Sequence, residues 1–186
     1  MTQLREREYT HEQPEWRIRP ATPSDARKVV DYLRAILQDR QSSIADQDEM
    51  ILDVMTEREH LRRILENPLS CVYVAETENE IVGFLTCECG RRRKIRHTAE
   101  IGMSVRDDYR RQGVGSALLE VVETWARETG RIRKITLNVF ETNVSALRLY
   151  EKYGFEVEGV LKEHINLDGE YLNLVLMAKE IGDGQV

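Results

Sequence analysis

The chain has 186 residues, 41% of them hydrophobic and 32% charged, with a formal net charge of −6. That length suits one domain with a substantial core. The acidic balance argues against general nucleic-acid binding, whose affinity rests on phosphate contacts, and no apolar run approaches the roughly 18 residues of a bilayer-spanning helix.

Residues 1–15 are polar and charged with no clear period, and they read as a mobile extension. Trp16–Arg19 reads as a short strand. Thr22 or Ser24 can cap a helix through about Arg40, with Val29, Val30, Leu33, Ile36 and Leu37 on one face. Gln41–Gln47 is a polar connection. A second helix is expected from about Asp48 to Glu66, with Ile51, Val54, Leu61, Ile64 and Leu65 inward, and Asn67-Pro68 stops it. Cys71–Glu76 and Ile81–Cys89 read as strands joined by a polar turn. Gly90–Arg96 is a basic connection, and Ile95 or Arg96 opens a central strand that runs to Val105.

Gly113–Thr129 is an amphipathic helix with Val114, Ala117, Leu118, Val121, Val122 and Trp125 on its buried face, ended by Gly130. Ile135–Phe140 is a strand and Asn143–Tyr153 a helix stopped at Gly154. Phe155–Asn166 and Tyr171–Ala178 are strands, with Asp168-Gly169 as a hairpin signal. The order β-α-α-β-β-β-α-β-α-β-β predicts an α/β protein with a single mixed sheet flanked by helices. One domain is expected over residues 16–180, with 181–186 as a tail.

Arg110-Arg111-Gln112-Gly113-Val114-Gly115-Ser116 is the most informative stretch. Gly113 and Gly115 remove two Cβ atoms where the backbone turns into a helix, so a ligand can approach the amides closely. Those first amides lack internal partners and carry partial positive charge, which makes the turn an anion site. Two arginines add forked donors suited to phosphate. The plain alternative is a glycine turn with solvated arginines. No Gly-Lys-Ser/Thr follows, which excludes a P-loop, and Leu118 stands where a dinucleotide fingerprint needs its third glycine.

The pattern Arg-x-x-Gly-x-Gly from Arg110 to Gly115 resembles the acyl-CoA pyrophosphate loop of the GNAT N-acetyltransferase superfamily. His97–Val105 is similar to that family's central strand, Asn143–Phe155 to its second cofactor helix, and Ile18–Ala26 to its opening strand and turn. The resemblance spans roughly residues 16–180. It implies a mixed, mostly antiparallel sheet and acetyl-CoA as co-substrate. It further implies pantetheine pairing with the main chain of Met103 and Val105, and pyrophosphate held by the amides of Gln112, Gly113, Val114, Gly115 and Ser116 beside Arg110 and Arg111. Asn143 is either an N-cap or a pantetheine contact through its side chain, and both can hold with different atoms.

Tyr150 lies seven residues after Asn143 on the same helical face. It is either a partly buried aromatic or, as the resemblance implies, the acid that protonates the departing CoA thiolate. Tyr153 is the neighbouring alternative. An alkyl amine is almost wholly protonated at neutral pH, so a base is needed. Glu100, sharing a face of the central strand with Gly102, is the candidate, with an ordinary strand carboxylate as the alternative. In a desolvated cleft its pKa would rise toward a useful value.

Cys71, Cys87 and Cys89 lack the spacing of a zinc set, and no histidine pair completes one, so no metal is expected. Their odd number and the lack of a signal peptide suggest a cytoplasmic setting. None has the context of an acyl-carrying nucleophile, so transfer in a ternary complex is expected. Arg91-Arg92-Arg93-Lys94 with Arg96 forms the only dense basic run, either a solvated turn or a contact for an acidic partner or RNA. Together these readings predict an acetyl-CoA-dependent N-acetyltransferase acting on a small-molecule amine or a protein amino group. No membrane or nucleic-acid partner is expected, and a homodimer is a further expectation. The competing reading is a non-catalytic acyl-CoA-binding sensor or interaction module of the same fold.

Overall fold

In the computed structural model, residues 16–37 and 52–182 are described. The expected N-terminal extension, the connection at 41–47, the predicted start of the second helix at Asp48 and residues 183–186 of the tail lie outside the described residues.

Among the described residues seven strands form one sheet: β1 (Arg17–Pro20), β2 (Cys71–Glu76), β3 (Ile81–Cys89), β4 (Thr98–Val105), β5 (Lys134–Phe140), β6 (Glu156–Leu167) and β7 (Glu170–Glu180). Their order across the sheet is β1-β2-β3-β4-β5-β7-β6. Every neighbouring pair is antiparallel except β4 with β5. This is the mixed, mostly antiparallel α/β sheet that the element order and the resemblance predict.

Among the described residues four α-helices cover it: α1 (Ala26–Ile36), α2 (Val54–Leu65), α3 (Val114–Thr129) and α4 (Val144–Lys152). They divide between two cores. One face packs Val114, Leu118, Leu119 and Val122 of α3 and Tyr150 of α4 against Leu85, Ile101, Leu137 and Met177. The other packs Val29, Tyr32 and Ile36 of α1 and Leu61 and Ile64 of α2 against Val72, Val74 and Phe84. The three cysteines are buried in the first core.

Local chemistry sets the helix ends. Asp53 accepts from the amides of Met55 and Thr56, so α2 begins at Val54, after the expected start. Its buried stripe includes Glu57 besides Leu61 and Ile64, which an apolar pattern cannot announce. Gly113 (φ 87°) and Gly130 (φ 61°) bracket α3 in left-handed conformations that side chains resist. The stripe of α3 is centred on Leu118, Leu119, Val122 and Ala126, leaving Ala117, Val121 and Trp125 only partly buried. Asp168 (φ 53°) and Gly169 (φ 92°) form the two-residue turn between β6 and β7 that their sequence predicts.

The central strand starts at Thr98, later than expected, because residues 91–97 form the loop of the β3–β4 hairpin. Gly90 N bonds Thr98 O at 3.2 Å and Thr98 N bonds Ile95 O at 3.0 Å to close that loop. β6 is an edge strand whose Val157, Val160 and Leu161 are exposed. Among the described residues no helix is long and apolar enough to cross a membrane.

Candidate active site

β4 and β5 pair only from Thr98–Lys134 to Glu100–Thr136. Beyond that row each strand continues, β4 to Val105 against β3 and β5 to Phe140 against β7, but not against the other. The sheet therefore forks, and the edge of β4 from Ile101 onward offers main-chain groups to a ligand rather than to a strand.

A cleft of about 350 Å³ lies in the fork on the α3 and α4 side. Met103, Ser104 and Val105 of β4 form one wall, Arg110, Arg111 and Gly113 with Gly115 and Ser116 of α3 form one end, and Asn143 and Tyr150 stand on the α4 side. The structure thus gathers Met103, Val105, Arg110, Arg111, Gly113, Gly115, Ser116, Asn143 and Tyr150 into one place. Val114 faces the core at 1% exposure, and the Gln112 side chain turns away to donate to the Asp108 carbonyl at 2.6 Å, so neither of these expected residues lines the cleft with its side chain.

The loop geometry follows from its residues. Arg111 adopts φ 59° and Gly113 φ 87°, which turns the chain sharply into α3. The first closing bond of α3 runs from Ala117 N to Gly113 O, so the amides of Val114, Gly115 and Ser116 precede the helical ladder at the end of the cleft. A Cβ on Gly115 would lie 3.1 Å from Leu149 Cδ2 and 3.7 Å from Met103 Cε, so a small residue is needed where α3, α4 and β4 meet. Arg110 is positioned by its bond to the Val105 carbonyl (3.3 Å) and its pair with Asp107 (2.8 Å).

Asn143 caps α4, its Oδ1 accepting from Ala146 N at 3.2 Å and Ser145 Oγ at 3.1 Å. The capping reading therefore holds for the oxygen, and Nδ2 is the end of the amide suited to a ligand carbonyl. Tyr150 is 6% exposed and meets Phe155 edge-on with centroids 5.7 Å apart. Burial pushes its phenol up to about 12, so it is fully protonated at neutral pH. Tyr153 is engaged elsewhere, donating to Glu120 at 2.6 Å.

Glu100 is not in this cleft. It projects from the opposite face of β4, where it is exposed and accepts from Asn138 Nδ2 at 2.9 Å. The desolvated setting expected for it is absent. That face holds a second, open cleft of about 630 Å³ with Thr86, Glu88, Thr98, Glu100, Gly102 and Thr136 on its floor and walls. Gly102 lowers the floor, since a Cβ there would stand 3.2 Å from Thr86 Oγ1. Tyr150 and Glu100 thus lie at clefts on opposite sides of the sheet, and the β4–β5 pairing ends at the row of Glu100.

Three features carry no sequence signal. Tyr32 of α1 shares a 2.9 Å hydrogen bond with Ser104, tying the α1 side to the strand that walls the first cleft. Burial drives its phenol well above the ordinary tyrosine value. Glu57 is buried at 9% exposure, and its Oε1 has no hydrogen-bond partner among the described residues. Burial pushes that carboxyl up to about 7. Asn138 joins the site only because the parallel register places it one step beyond the fork.

The sequence profile of the acetyltransferase (GNAT) family matches residues 30–155. The chain belongs to this family. It is an acetyl-CoA-dependent N-acetyltransferase. It is 34% identical over 121 residues to the L-amino acid N-acetyltransferase AaaT of Escherichia coli (strain K12), a match covering 63% of this chain and 72% of that enzyme. It is 31% identical over 106 residues to an N-alpha-acetyltransferase of Sulfurisphaera tokodaii, covering 53% of this chain and 63% of that one. A GNAT-family acetyltransferase from Streptococcus pneumoniae superposes with a TM-score of 0.84 and 27% identity over 90% of this chain and 99% of that one. The yncA protein of Salmonella typhimurium, determined with its cofactor acetyl-CoA, shares the fold at a TM-score of 0.79 and 19% identity, covering 92% of this chain and 97% of that one.

Proposed function

We propose that this acetyltransferase passes the acetyl group directly from acetyl-CoA to a primary amine, with both bound at once on opposite faces of the forked sheet. The observation that carries this reading is the fork itself. It separates β4 from β5 beyond Glu100–Thr136 and leaves a cleft on each face.

Acetyl-CoA supplies the activated thioester. The amides of Gln112–Ser116, with Arg110 and Arg111, hold its pyrophosphate, each charge-assisted bond contributing on the order of 1.5–3 kcal/mol. The main chain of Met103 and Val105 aligns the pantetheine, and Asn143 Nδ2 donates to it. The small residue at Gly115 and the open N-terminus of α3 fit an anionic, elongated group.

The amine enters over Glu100 and Gly102. Glu100, oriented by Asn138, accepts the ammonium proton directly or through water. Its solvated position suits a relay to bulk water. Tyr150 remains protonated near the leaving sulfur. Complete proton transfer from a phenol at about 12 to a free thiolate near 8.5 is uphill by roughly 5 kcal/mol. Tyr150 therefore acts by a hydrogen bond that strengthens as sulfur charge develops. The buried cysteines leave no accessible thiol to carry the acetyl group.

A screen of amino acids, polyamines and peptide amino termini for acetyl-CoA consumption, with the acetylated product identified by mass, tests this reading. An N-acetylated product is expected, and acetyl-CoA turnover without one would sink it. We further propose a homodimer across the β6 edge, where Val157, Val160 and Leu161 lie exposed. A concentration-independent monomer mass in sedimentation would refute that.

A further inference from the structure

The basic loop between β3 and β4 is a charge feature that acetyl-CoA binding leaves unused. Arg91, Arg92, Arg93, Lys94 and Arg96 are all exposed. Among the described residues, Arg92, Arg93, Lys94 and Arg96 make no ion pair or hydrogen bond through their side chains. Arg91 donates to the Arg63 carbonyl at 3.3 Å, fastening the loop to the end of α2. A chain of net charge −6 therefore concentrates mutually repelling cations in one short loop, and among the described residues no carboxylate pairs with Arg92, Arg93, Lys94 or Arg96.

The loop's place gives that concentration a meaning. It belongs to the hairpin on which Glu88 and Glu100 lie directly opposite each other, one row inside the Cys89–Ala99 pair. The open cleft runs from Gly102 over these glutamates to Gly90, Ile95 and Thr98 at the base of the loop. The glutamates therefore make this cleft negative and suited to an ammonium, and it ends at Gly90 and Ile95, at the base of the basic loop, whose Arg91 and Arg96 line an adjoining cleft that also meets Gly90.

At about 3.3 Å per extended residue, the step from Glu100 to the rim takes roughly two to four residues. A free amino acid cannot span it, because its carboxylate sits one carbon from its amine. A nucleic acid matches it poorly, because its repeating phosphates would meet Glu88 and Glu100. We infer that the loop of residues 91–97 is a docking rim for acceptor carboxylates, and that the favoured acceptor is a peptide or protein amino terminus followed within about two to four residues by Asp or Glu. This inference rests on the proposed entry of the amine over Glu100.

The test uses tetrapeptides that share an amino-terminal Ser, followed by Glu-Asp-Glu, Gln-Asn-Gln or Arg-Arg-Arg. Wild-type protein should acetylate the acidic peptide with kcat/KM about tenfold above the neutral one at low ionic strength, and the advantage should shrink in roughly 0.5 M salt. In the triple variant Arg92→Glu, Arg93→Glu, Lys94→Glu the ratio should fall to about one or invert. The melting shift given by acetyl-CoA should match wild type, which shows that the variant is folded. Equal rates on all three peptides, or an unchanged ratio in the variant, would overturn the rim and leave the acetyltransferase reading standing. Failure to acetylate any amine would overturn both. A short single-stranded RNA of equal charge that binds wild type, but not the variant, more tightly than the acidic peptide would reassign the loop to nucleic acid and overturn the inference.

Discussion

Asn138 Nδ2 donates to Glu100 Oε1 across 2.9 Å, bridging β5 to β4 just past the last row where those strands pair. The bond holds an exposed carboxylate at the mouth of the fork without neutralising its charge. Glu100→Gln keeps the shape and the partner but cannot take a proton. Transfer should slow, chiefly at low pH where free amine is scarce, with little change in melting temperature because the side chain is exposed. The pH–rate profile and melting temperature measured together check this. A profile identical to wild type would remove Glu100 from the mechanism.

The α3 entrance makes a sharper prediction. Gly113→Asp places a side chain at φ 87° and a negative charge against the pyrophosphate amides. Acetyl-CoA should raise the melting temperature of wild type, since a ligand selective for the folded state stabilises it. The variant should lose that shift. Its own melting temperature without ligand reports the backbone strain separately. A shift equal to wild type would exclude this loop as the pyrophosphate site.

Tyr150→Phe removes only the hydroxyl and preserves the edge-on contact with Phe155. The chemical step should slow by on the order of 10²-fold, with acetyl-CoA affinity little changed. Single-turnover rates measure it without interference from product release. Equal rates would leave Tyr150 a packing residue.

Glu57 predicts a pH dependence of stability. Its carboxyl is pushed up to about 7 in the folded protein by burial, against an ordinary value of 4.5. Between these values the folded state binds more protons than the unfolded state, so stability falls as pH rises through that window. The penalty is absent below about pH 4.5 and fully present above about pH 7. Glu57→Gln should therefore stabilise the protein at pH 8 by on the order of 1 kcal/mol and gain nothing at pH 4. Urea denaturation at both values checks it, and an equal gain at both would show that ionisation is not the cause.

Local chemistry made much of the site legible. Gly113 and Gly130 mark both ends of α3, Asp168-Gly169 marks the last hairpin, and Asn143 marks the start of α4, each through backbone demands that one or two residues express. The cleft between β4, α3 and α4 was legible because its lining residues fall in two short segments, 103–116 and 143–150. Glu57 was not, since periodicity assigns buried stripes to apolar residues. Tyr32 and Ser104 meet across 72 positions, and no local pattern encodes that contact. The division of Glu100 and Tyr150 between opposite faces needed the β4–β5 register, which alternation within a single strand does not supply.

Direct transfer requires that both substrates occupy the forked sheet together. Initial velocities of CoA release, with acetyl-CoA and an identified acceptor amine varied against each other, test it most directly. Lines that intersect in the double-reciprocal plot are the predicted result, as transfer within a ternary complex requires. Parallel lines would mean that the acetyl group leaves CoA before the amine binds, and would contradict the account.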